Sequence, residues 1–151
     1  MAPVPRRPLA IDHAQRVRSL WTAWFLCLLF HTDLGLMPLF HGLSPEIESH
    51  VATERLPLVF WAMLLYFLVP LGAYVLSSYA SSAPGWRRWR WFQFGLSVVY
   101  TLTNTAHFVV DILIPDSRSD QVLLMAVMLV LGLLINVESW RWCHTKSSWQ
   151  I

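Results

Sequence analysis

Thr103-Asn104-Thr105-Ala106-His107-Phe108-Val109-Val110-Asp111 is a polar, ionisable stretch set within residues 91–114, which are otherwise apolar enough to cross a membrane. At 100° per residue, Asn104, His107 and Asp111 fall within about a 60° arc of a helix, so the three share one face. An ionised Asp at the centre of a bilayer costs on the order of 2.5–3.5 kcal/mol on insertion scales, and an unpaired amide or imidazole adds to that. Such a face must turn away from lipid and toward other helices.

The rest of the chain supplies those helices. Of its 151 residues, 56% are hydrophobic and 13% charged, about half the charged fraction of an average soluble domain. That composition excludes an ordinary soluble enzyme and predicts an all-α integral membrane protein, a four-helix up-down bundle in contact with the lipid bilayer. Four spans of about 20 residues with short connections use the chain as one compact unit, and they are expected near 20–40, 56–79, 91–114 and 121–140. Residues 1–19 read as a basic, Pro-rich segment in which Asp12 caps a short amphipathic run, 13–19, and residues 141–151 as a polar tail. No small-residue cleavage site precedes His31, so the first span is expected to stay uncleaved. Between spans one and two, Gly42, Ser44 and Pro45 carry helix-stop and helix-start chemistry. They predict a short interfacial helix over 45–55, with Glu46, His50 and Glu54 on one face. Pro70 and Gly72 should kink the second span.

Charge sets the expected orientation. Of the 11 Lys and Arg residues, nine (Arg6, Arg7, Arg16, Arg18, Arg87, Arg88, Arg90, Arg141 and Lys146) fall in the N-terminal segment, the 2–3 connection or the tail. The positive-inside rule then places both termini in the cytoplasm, in a membrane of the bacterial inner type. The tryptophans agree if they serve as interfacial anchors, since only Trp61 lies near the other end. Cysteines placed singly at Ser82 and Ser117 should react with an impermeant thiol reagent from opposite sides, and same-side labelling would overturn the orientation.

Depth decides whether the polar face meets anything. His31 lies seven residues before Pro38 and His107 eight before Pro115. At 1.5 Å per residue the two sit at nearly equal depth, about 10–12 Å below the membrane boundary. Helices one and three are diagonal partners in such a bundle, where cofactors and metals are held. His31 and His107, with Asp111 one turn beyond, make a ligand set for a transition metal or for a bis-histidine haem b. Asn104, Asp33, His50 and Glu54 are the supporting candidates, although Asp33 points about 200° from His31 and joins its face only if the helix unwinds near Gly35 and Pro38.

Three functions follow from these residues. The first is metal or haem binding for a redox or metal-handling role. In the second, an accessory or assembly subunit, the polar groups only brace the helices and a Trp-rich belt docks a larger membrane complex. The third is a binder or enzyme for a small lipid-like ligand, with His107 and Asp111 as an acid-base pair. Asn136 and Glu138 read as anchors near the basic end, and Cys27 and Cys143 as packing residues. No nucleotide-binding loop, CxxC or CxxCH is present, and nucleic acid is not implied.

Overall fold

The computed structural model describes residues 12–43, 52–80, 84–113 and 118–145. Among them are four long helices and no strand: α1 (His13–Phe40), α2 (Leu56–Ser77), α3 (Arg87–Leu113) and α4 (Ser119–His144). All four are long and apolar enough to cross a membrane, as expected for an integral membrane bundle. α1 starts well before residue 20 because Asp12 Oδ1 accepts from the Gln15 N–H at 3.1 Å, and the amphipathic run continues unbroken into the span. Most of the expected 45–55 helix, His50 and Glu46 included, lies outside the described residues. Its described end is a 3-10 turn, Thr53–Arg55, leading directly into α2.

α4 is the hub of the bundle and packs along both α1 and α3, whereas α2 leans sparingly on α1. Close approach of α3 and α4 rests on a small residue: a Cβ added to Gly132 would lie 2.8 Å from Thr101 Oγ1. Asn136 Nδ2 donates to the same Thr101 oxygen at 3.1 Å. Small residues that let backbones approach, with polar side chains bonding across the gap, are a usual way for helices to associate where lipid offers no hydrophobic drive. Gly132→Ala should therefore lower unfolding stability by about 1–3 kcal/mol through overpacking. An unchanged unfolding midpoint in mixed micelles would show that the seam yields.

Across the diagonal, aromatic rings fill the space that backbones do not. Trp21 and Trp24 meet Tyr100 edge-on at 6.0 and 5.9 Å between centroids. Phe25 meets Phe67 at 5.6 Å, and Tyr66 lies 4.7 Å from Tyr100. This corrects the reading as interfacial anchors for Trp21, Trp24 and Trp142, which are core residues, whereas Trp61, Trp91 and Trp140 are exposed. An indole of that size is worth more buried among rings than at an interface when the bundle offers a gap to fill.

Two prolines interrupt helices, and each freed carbonyl acquires a donor from another segment. Pro70 has no N–H for the carbonyl of Tyr66, and Tyr100 Oη donates to that oxygen at 2.6 Å. Pro38 likewise frees the carbonyl of Leu34, which accepts from Arg118 Nη1 at 3.3 Å. At the basic end, where α1 and α3 begin and α2 and α4 finish, two arginines close helix C-termini. Arg18 Nη1 donates to Ser77 O at 2.9 Å, at the end of α2. Arg90 Nη1 donates to Trp142 O at 2.9 Å and to Thr145 O at 3.3 Å, at the end of α4. A cation at a helix C-terminus satisfies orphan carbonyls and the negative end of the dipole. Arg90, one of the basic residues counted in the 2–3 connection, is thus buried.

Candidate metal centre

The aromatic wedge leads directly to the site. Two turns beyond the level where Trp24 meets Tyr100, α1 and α3 present His31 and His107, whose rings stand edge to face at 5.6 Å between centroids. The equal depth inferred from the two prolines therefore holds: the diagonal helices bring the imidazoles together. Asp111, one turn further along α3, sets its Oδ1 3.4 Å from His107 Nε2. Ligand atoms of His31, His107 and Asp111 all lie within 4.8 Å of one another, the one such group of three among the described residues.

Burial differs across the three. Asp111 is only 5% exposed, and its Oδ2 makes no hydrogen bond to any described residue. His31 is half-buried between them, and the His107 side chain is 55% exposed, so the cluster opens on that side. An ionised carboxylate held in a low-dielectric bundle needs a positive partner, and a protonated imidazole or a cation serves. Two imidazole nitrogens and a carboxylate oxygen with an open side form a set suited to a divalent first-row metal. Donors bonded to one ion at about 2.0–2.2 Å stand no more than about 4.4 Å apart, so gathering around an ion requires only small side-chain movement.

The supporting candidates fare differently. Asn104 is buried, and its Nδ2 makes no hydrogen bond to a described residue. Asp33 is exposed and outside the cluster because α1 stays helical to Phe40 and never unwinds at Gly35. Glu54 is exposed in the turn before α2, also outside the cluster, and His50 lies outside the described residues.

Glu138 has a larger part than an interfacial anchor. It is buried at the basic end, where it accepts from His13 Nδ1 and Arg141 Nη1 at 2.8 Å each and lies 3.7 Å from Arg16. The cluster ties the start of α1 to the end of α4. Its sequence signal is a lone carboxylate beside Arg141, but His13 is 125 residues away, beyond the reach of any local pattern. Cys27 and Cys143 are free thiols, half-buried and buried, consistent with packing roles.

No protein-family model matches the chain, and neither a curated protein nor a solved structure matches it.

Proposed function

We propose that this integral membrane protein binds a divalent transition metal between His31, His107 and Asp111, in a metal-handling or redox role. The observation that carries the reading is the convergence of three ligand atoms from diagonal helices within 4.8 Å, at a depth where an uncompensated carboxylate is costly. Haem suits the donors less well, since a porphyrin leaves the iron two axial positions while three side chains here surround one point. The open side at His107 favours an ion that exchanges a ligand or is itself passed on, as three-ligand sites do. By the positive-inside rule the cluster belongs to the half of the bundle away from the cytoplasm, with both termini cytoplasmic.

Metal analysis of the detergent-purified protein, together with its absorption spectrum, tests this. The expected result is about one first-row metal ion per chain with no porphyrin band. Protein that carries neither metal nor chromophore and binds no added divalent ion would sink the reading. It would leave the polar cluster as a brace between helices in an accessory subunit.

A further inference from the structure

The face of α3 that carries the cluster is polar far beyond it. Gln93, Ser97, Thr101, Asn104, His107 and Asp111 follow one another by three or four residues, which on a helix sets successive side chains about 5–6 Å apart in a single file. Eighteen residues separate the first from the last, a length of about 27 Å against a hydrocarbon core of about 30 Å. All but His107 are buried or, at Ser97 and Thr101, buried with hydroxyls bonded back to their own helix.

The file is also short of partners. Both polar atoms of Gln93, which is 0% exposed, make no hydrogen bond to a described residue, and the same holds for Asn104 Nδ2 and Asp111 Oδ2. α4 adds to it. Arg90 bonding Trp142 and Thr145, and Thr101 meeting Gly132 and Asn136, set an antiparallel register that brings Ser139 level with Ser97 and Trp142 level with Gln93. Ser139 Oγ, in a residue 0% exposed, Trp142 Nε1 and Asn136 Oδ1 are likewise without a described partner. Helix packing alone explains small and polar side chains in a seam, but it does not explain why their hydrogen-bonding atoms are left unmet. Buried polar groups in native proteins are nearly always bonded, to protein or to ordered water.

We propose that the α3–α4 seam holds a single file of water molecules that carries protons between the basic end and the His31/His107/Asp111 cluster. A spacing of about 5–6 Å between rungs is what one bridging water spans with two hydrogen bonds of about 2.8 Å each. Against Gly132 the Thr101 hydroxyl supplies the rung itself: its oxygen takes a proton from the water on one side, and the hydrogen it had given to Ser97 O passes to the water on the other. A proton entering at one end is accepted by the first water, each water hands one proton to the next, and the last water releases one at the open side of the cluster, beside the exposed His107. One H+ is transferred and nothing is oxidised or reduced. The charged and titratable groups about the path are Arg90, Glu138, Cys143, His13 and Arg16 at the basic end and His31, His107 and Asp111 at the other. Transfer is independent of whether the cluster holds a metal.

The full chain reconstituted into vesicles with an entrapped pH-sensitive dye tests this, with a pH step imposed and the membrane potential clamped by potassium and valinomycin. Wild-type vesicles should dissipate the step faster than protein-free vesicles. Asn104→Leu, close in volume but unable to hydrogen-bond, should slow the protein-dependent rate on the order of tenfold or more, because one missing polar rung in a low-dielectric path raises the barrier. Asn104→Ser should retain most of the rate, and Leu102→Ala, on the exposed side of α3, should leave it unchanged. If Asn104→Leu does not fold, Ser139→Ala takes its place, with a slower rate supporting the file and an unchanged one overturning it. Wild-type vesicles no faster than protein-free ones, or Asn104→Leu at the wild-type rate, would overturn it too. Metal content measured on the same samples separates the two readings: flux through metal-free protein leaves the file intact and counts only against the metal.

Discussion

His31→Ala and His107→Ala should each weaken metal binding by more than the 10–100-fold typical of losing a supporting contact, and by about equal factors, because each removes one nitrogen donor from a three-donor set. Asp111→Asn should be milder, within about 10–100-fold. The amide keeps the shape of the carboxylate and one oxygen donor beside His107, but loses the charge. Isothermal titration of the metal-stripped protein with a divalent first-row ion gives the affinities. A second readout separates ligation from bracing. The His107 side chain is 55% exposed, so its truncation removes little packing and should leave unfolding of the metal-free protein nearly unchanged. If the cluster only braces helices, both histidine variants should lower stability and alter no metal affinity. That pattern, or wild-type affinity in all three variants, would exclude the site.

Much of the architecture was legible in the chain because its cause is local. Twenty-residue apolar runs make spans, and a helical face carrying Asn104, His107 and Asp111 must point inward whatever the partners are. Counting residues back from Pro38 and Pro115 was enough to match His31 with His107, since helices rise by a constant amount per residue. What was not legible depends on contacts that no local pattern encodes. A tryptophan near a span end is amphipathic, and only the gap left between diagonal helices decides that Trp21, Trp24 and Trp142 are core residues. Arg90 sits in a run of Trp and Arg that reads as a surface anchor, and only the end of α4 beside it makes it a buried cap. Glu138 gains its partner His13 through the antiparallel return of the last helix to the first.

The second large effect is expected where Pro70 breaks α2. Tyr100→Phe keeps the ring packed against Tyr66, Trp21 and Trp24 but removes the hydroxyl that donates to Tyr66 O at 2.6 Å. That carbonyl has no helical donor, because residue 70 is proline and has no N–H. Few other bonds hold α2, whose remaining described ties to the bundle include Arg18 to Ser77 O, Trp89 Nε1 to Ser77 Oγ and Tyr66 Oη to Thr103 Oγ1. Tyr100→Phe should therefore lower stability by about 1–2 kcal/mol, the upper part of the range for interhelical hydrogen bonds in membranes, since the orphaned carbonyl finds no water there. Pro70→Ala restores an N–H four residues after Tyr66 and supplies the missing donor from within the helix. In that background Tyr100→Phe should cost only a few tenths of a kcal/mol, and the difference between the two costs is the coupling between the proline and the tyrosine. Reversible unfolding of the four proteins in mixed micelles measures the cycle. Equal costs of Tyr100→Phe with and without Pro70 would mean that the hydroxyl does not serve the carbonyl that the proline frees, and that α2 is held by its rings alone.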